Sequence, residues 1–168
     1  MILILMGVSG SGKTTVGQEL SRLLNWPCFE ADEYHPPANL AKMSSGKPLS
    51  EEDRLPWLQI LSGLIREWLN RDENALLACS ALSRPSRSLL KGESKSVRFV
   101  YLKGARELIR QRLAARQGHF MPFGLLDSQF EALQAPRNAF IADAAASPQE
   151  IAQQVADWLA DEDGSSTP

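Results

Sequence analysis

Cysteine and histidine are scarce, with two of each in 168 residues, so a metal cluster or a disulfide framework has little to be built from. Cys28 and Cys79 end apolar runs with no C-x-x-C or Cys/His spacing, which predicts buried free thiols in a reducing compartment. His35 and His119 each lack a second ligand-type residue at metal spacing. No stretch nears the ~18 apolar residues of a membrane span. The apolar start, Ile2 to Met6, carries no basic leader and no small-residue cleavage site, so a cytoplasmic protein with no membrane partner is expected. A basic excess is missing as well. The formal net charge is −2, which argues against a nucleic-acid partner. An N-K-x-D guanine-reading segment is absent and the chain is short for a motor, which disfavours GTPase, helicase and transporter readings.

Glycine, by contrast, is concentrated where it carries meaning. Gly7-Val8-Ser9-Gly10-Ser11-Gly12-Lys13-Thr14 is a complete G-x-x-x-x-G-K-[ST] loop. Five apolar residues before it suit a buried strand, and Thr14 to Leu24 suits a helix. Three glycines let the backbone curl with its N–H groups inward, and those donors with the helix N-terminus hold phosphate oxygens. Gly7, Ser9, Gly10, Ser11, Gly12, Lys13, Thr14 and Thr15 are therefore the candidate ATP contacts. Lys13 is expected to reach the β- and γ-phosphates, and the Thr14 hydroxyl to ligate Mg²⁺.

Apolar runs at 2–6, 27–30, 75–79, 97–102 and 138–142 are strand candidates, separated by helical periods. Trp57, Leu61, Leu64 and Trp68 form one apolar stripe; Ile151, Val155, Trp158 and Leu159 form another. The last helix has a full start signal in Ser147, Pro148 and Glu150. Such alternation implies α/β architecture with a parallel sheet covered on both faces. A single domain over 1–160 is expected. Residues 31–54 read as a long substrate-binding insert and about 112–126 as a lid, both at the carboxyl edge of the sheet. The acidic tail 161–168 reads as disordered.

Phosphoryl transfer needs an acceptor site, a base and extra cations. Asp32 closes the second strand beside the phosphate loop, where it can take a proton from an attacking hydroxyl or simply cap the next turn. Glu30, two residues earlier, can hold a Mg²⁺ water or face solvent. Arg112 and Arg116 share a helix face and can close over a γ-phosphate; the competing reading is a solvated basic face, the reading given to Arg106 and Arg110. Arg54 can pair with an anionic substrate or with Glu51 or Asp53. For His35 and His119, hydrogen bonds to substrate hydroxyls compete with loop contacts.

These segments, together with Asp32-Glu33-Tyr34-His35-Pro36-Pro37-Ala38-Asn39-Leu40, Lys42-Met43, Ser45-Gly46-Lys47-Pro48-Leu49, Asp53-Arg54-Leu55-Pro56-Trp57-Leu58, Cys79-Ser80-Ala81-Leu82, Gly118-His119-Phe120-Met121 and Ser128-Gln129-Phe130, resemble the gluconokinase family over residues 1–136. The resemblance implies a P-loop, nucleoside-monophosphate-kinase-like three-layer fold with a five-stranded parallel sheet and a mobile lid. It implies ATP-dependent phosphorylation of D-gluconate at its 6-hydroxyl, with Asp32 near that hydroxyl. His35, Lys42, Arg54 and His119 become substrate-side candidates, Asn39 joins them as a polar contact, and a homodimer is implied. Ser83 and Ser86 stand where the family often has Lys and Tyr, and Glu30 where it usually has Asp. The other enzyme on such a scaffold is a shikimate-type or other small-metabolite kinase.

Overall fold

A computed structural model describes residues 1–115 and 123–164. Five strands, β1 (Ile2–Met6), β2 (Cys28–Glu30), β3 (Ala75–Ala78), β4 (Val97–Lys103) and β5 (Phe140–Asp143), form one sheet in the order β2-β3-β1-β4-β5. Every neighbouring pair is parallel, with Ile4 set between Leu77 and Phe99 at the centre. Among the described residues seven α-helices connect them: α1 (Lys13–Leu24), α2 (Pro37–Ser44), α3 (Glu51–Asn70), α4 (Arg84–Lys91), α5 (Arg106–Ala115), α6 (Phe123–Ala132) and α7 (Pro148–Gly164).

The alternation of side chains along β1 sorts the core into two layers. Ile2, Ile4 and Met6 pack with Trp57, Leu61, Ile65 and Trp68 of α3 on one face. Leu3 and Leu5 pack with Val16 and Leu20 of α1 and with Ile151, Val155 and Leu159 of α7 on the other. The two stripes read from sequence are thus the inner faces of α3 and α7. Burying both faces explains why β1 is apolar at every position rather than alternating. A third, smaller cluster joins Val8 of the phosphate loop to Leu82, Ile109 and Leu126, tying α5 and α6 to that loop.

Three expectations need correcting. Residues 31–54 are not an irregular insert: Ala31–Tyr34 form a 3-10 turn, α2 follows, and α3 begins at Glu51. Proline drives that result, since Pro36 and Pro37 lie where a helix start tolerates a missing N–H. The acidic tail is helical as far as Gly164, because Ser147 and Glu150 cap α7 reciprocally and its apolar stripe anchors it. Arg106 and Arg110 are not a free basic face, for both donate to Asp127 Oδ1 at 2.9 Å and so link α5 to α6. Cys79 is fully buried and Cys28 half-buried, and burial pushes their thiols up to about 12 and about 11. The middle of the expected lid lies outside the described residues.

Candidate active site

Strand order reverses at β1, which has β3 on one side and β4 on the other, so the loop after β1 opens at the crevice where α/β sheets bind ligands. Gly12 is the N-cap of α1 at φ 99°, a left-handed conformation that glycine reaches without strain. No side chain caps α1 and no acidic residue occupies its first turn, so its N–H groups and positive dipole end are left for an anion. Gly10 has a second reason to be glycine. A Cβ there would come within 2.9 Å of Leu113 Cγ, so the absent side chain lets α5 lie against the loop. The Lys13 ammonium donates to the carbonyls of Gly7 (3.0 Å) and Val8 (3.2 Å), which holds it on the loop's rim.

Two clefts flank the loop. The first is lined by Ser9, Lys13, Asp32, His35 and Arg54, with Met43, Trp57 and the 80–83 segment around them. Five sequence-predicted residues from three separate segments therefore meet in one place. The second is lined by Gly10, Ser11, Gly12, Thr15 and Arg112, facing the apolar Ala144, Ala146, Pro148 and Ile151. Thr14, next to Lys13 in the loop, carries a hydroxyl that favours the charged form of the Glu30 carboxyl. Burial, more than neighbouring charge, raises the Glu30 carboxyl above its ordinary range. This oxygen-only donor pair suits a hard cation such as Mg²⁺.

Asp32 is well exposed, with its Oδ1 3.8 Å from His35 Nε2. Its backbone is fixed from below: the Trp57 indole donates to the Ala31 carbonyl at 2.8 Å, and the same ring stacks on His35 at 4.2 Å. His35 is buried, and burial outweighs the Asp32 charge to hold its pKa below the usual imidazole value. Arg54 sits in the first turn of α3, pairs with Glu51 at 3.0 Å and still lines the first cleft. The ion-pair reading of Arg54 is thus met, and the same side chain borders the cleft.

Asn39 and Lys42 are placed differently. Neither lines the cleft. The Asn39 amide nitrogen reaches His35 Nδ1 (3.3 Å) and the Asp53 carbonyl (2.9 Å), and Lys42 pairs with the Asp53 carboxylate at 2.5 Å. They brace the residues that do face the cleft. Arg116 and His119 lie outside the described residues. Sequence reasoning missed Gln129 of α6, which lines the first cleft. Its Oε1 accepts from the Ser9 backbone N–H at 2.7 Å and its Nε2 donates to Ser9 Oγ at 3.2 Å. The only sign of it was its place in the Ser128-Gln129-Phe130 segment.

The profile described as "Shikimate kinase" matches residues 9–162. Over 134 residues the chain is 46% identical to the thermosensitive gluconokinase of Escherichia coli (strain K12), spanning 80% of this chain and 72% of that one. The chain belongs to the gluconokinase family, on the shikimate kinase scaffold. A solved gluconokinase from Sinorhizobium meliloti 1021 superposes with a TM-score of 0.85 at 36% identity, over 98% of this chain and 97% of the other. A sugar kinase from Janibacter sp. HTCC2649 gives 0.88 at 37% identity, over 94% and 93%. Family membership, fold and the uncapped phosphate loop therefore agree on a kinase.

Proposed function

We propose that this protein transfers the γ-phosphoryl group of ATP to the 6-hydroxyl of D-gluconate, giving 6-phospho-D-gluconate and ADP. The observation that carries the reading is the convergence of Lys13, Asp32, His35 and Arg54 on one cleft beside the phosphate loop, in a chain 46% identical to a gluconokinase. Gluconate is a polyol with one carboxylate. Arg54 can take that carboxylate with its planar fork, while His35 and Gln129 supply hydrogen bonds to hydroxyls.

In this reading the Asp32 carboxylate accepts the proton of the 6-hydroxyl as its oxygen attacks phosphorus. Lys13 neutralises charge on the phosphate oxygens, and the N–H groups opening α1 hold them in place. Arg112, on the wall of the second cleft, adds positive charge near the loop, and Arg116, four residues later in the sequence, is proposed to join it. His119 and Lys42 are proposed on the substrate side, Lys42 acting through Asp53 as the brace of α3. Asn39 acts on gluconate through His35. The apolar wall of Ala144, Ala146 and Pro148 suits the flat face of adenine. Thr14 and Glu30 would hold Mg²⁺, which when bound neutralises charge between the β- and γ-phosphates. The family resemblance supports two further parts, a homodimer and a cytoplasmic location; no helix among the described residues is long and apolar enough to cross a membrane.

A coupled ADP-release assay tests the reading against D-gluconate, shikimate, nucleoside monophosphates and other sugar acids, with the product identified by mass and NMR. Turnover with gluconate and a phosphate on C6 is expected. Gluconate turnover no faster than the water background, or shikimate preferred over gluconate, overturns it.

A further inference from the structure

A third cleft opens between α4 and residues 134–138, over Phe99 of β4, and encloses about 640 Å³. That is ample for a small organic ligand. Its walls hold four cations, Arg84, Arg87, Lys91 and Arg137, and no carboxylate. In a chain of net charge −2 this reverses the average surface. Six arginines elsewhere, Arg22, Arg54, Arg71, Arg98, Arg106 and Arg110, each hold a carboxylate, whereas Arg66 and Arg112 hold none among the described residues. Among the described residues Arg84, Lys91 and Arg137 form no ion pair.

Arg87 is the buried member of the group, 9% exposed. Its Nη1 donates to the carbonyls of Ala81 (3.0 Å) and Leu82 (2.8 Å). Those carbonyls belong to the segment that lines the first cleft, so one guanidinium spans the wall between the two. Ala81 holds a φ of 42°, an unfavourable conformation for a residue with a Cβ, which marks that wall as a constrained piece of backbone. Burial and, second to it, the adjacent Arg84 charge hold Arg87 below its ordinary pKa. A bound anion relieves that load.

We propose that this cleft binds a phosphorylated polyol, that is, a sugar phosphate or phosphorylated sugar acid. Its dianion sits among Arg84, Lys91 and Arg137, and its hydroxyls meet Ser88 and Asn138. Three unanswered cations suit a phosphate, with its several acceptor oxygens, better than a single carboxylate. The amide and hydroxyl on the rim suit a polyol better than a bare ion. Through Arg87, occupancy shifts the 80–83 wall of the first cleft and so alters KM for the kinase substrate more than kcat. Only this last consequence rests on the gluconate reading; the binding itself does not.

The test is a calorimetric titration of glucose 6-phosphate into the full chain saturated with AMPPNP and Mg²⁺, so that the phosphate loop is already taken. One saturable site is expected. Lys91→Ala/Arg137→Ala, which alters two exposed side chains remote from the phosphate loop, weakens it about tenfold or more, whereas Arg54→Ala on the first cleft does not. Gluconate turnover by the double variant, without sugar phosphate, stays at the wild-type rate. No saturable heat, equal affinity in the double variant, or a matching loss in Arg54→Ala overturns the site. Inorganic phosphate binding as tightly as glucose 6-phosphate overturns the polyol part, and glucose binding as tightly overturns the anion part.

Discussion

His35 is held in one tautomer by its neighbours. Because the Asn39 amide nitrogen also faces the Asp53 carbonyl, it can only be a donor, and His35 Nδ1 must accept. The proton therefore sits on Nε2, the nitrogen turned toward Asp32. A neutral imidazole there places an N–H, rather than a positive charge, 3.8 Å from the Asp32 carboxylate. Asp32→Asn removes the acceptor while keeping the shape. We expect gluconate turnover to fall about 10²- to 10⁴-fold with ATP affinity held, measured by ADP release and by calorimetry with AMPPNP. Unchanged turnover would remove Asp32 from the role of base.

The same residue sets a pH dependence. Burial lowers the folded-state pKa of His35 below its ordinary 6.5, so the unfolded chain takes up the proton first as pH falls. The stability it supports is complete above about 6.5 and is lost as pH drops through the lower folded value. Melting curves at pH 7.5 and 5.5 should show a larger loss for the wild type than for His35→Gln. Parallel losses would mean that His35 is not the titrating group.

At the scale of elements, the start of α3 organises the substrate side. Ser50 Oγ accepts from the Asp53 N–H at 3.1 Å, Asp53 Oδ2 accepts from the Ser50 N–H at 2.7 Å, and Lys42 fastens α2 to the same carboxylate. The Lys42 and Ser50 bonds hold the Asp53 carboxyl down at about 2, so this clasp persists until strongly acid pH. Ser50→Ala should cost about 1 kcal/mol in urea unfolding and raise KM for gluconate more than it lowers kcat, because Arg54 lies one turn from the cap. Equal stability, or a change in kcat alone, would count against that arrangement. The reciprocal caps of α3 and α7 have comparable chemistry, yet only that of α7 was legible. Ser147-Pro148-x-Glu150 precedes a clean apolar stripe, whereas Ser50 and Asp53 follow a stretch whose prolines, asparagine and serines read as loop. The bracing bonds of Asn39 and Lys42 were illegible for the same reason: at the residue level, a polar side chain that props a site looks like one that faces it. Trp57 was legible as core, but its indole bond to Ala31 and its stack on His35 depend on a crossing that no local pattern encodes.

For the whole molecule, the parallel sheet and its two apolar faces follow from the spacing of strands and stripes. The order β2-β3-β1-β4-β5 does not, since strand neighbours are set by long-range packing. The phosphate loop was legible in full, because its chemistry is backbone chemistry and only glycine permits it. Gln129 was not, because it joins Ser9 across 120 residues of sequence. Ligands that bind only the folded chain should stabilise it globally. At concentrations about 100-fold above Kd, AMPPNP with Mg²⁺ should add about 2.7 kcal/mol, read as a higher melting temperature, and gluconate should add a further increment. Lys13→Ala should lose the nucleotide increment and keep the unliganded melting point. An undiminished shift would show that Lys13 does not hold the phosphates.

The bare backbone of Gly10 under Leu113 gives the phosphate turn a mechanical job in addition to its chemical one. It is a bearing on which α5 rests, with Arg112 next to Leu113 on the same helix. Any flexing of that turn as it grips or drops a triphosphate is handed directly to the helix and moves Arg112 with it.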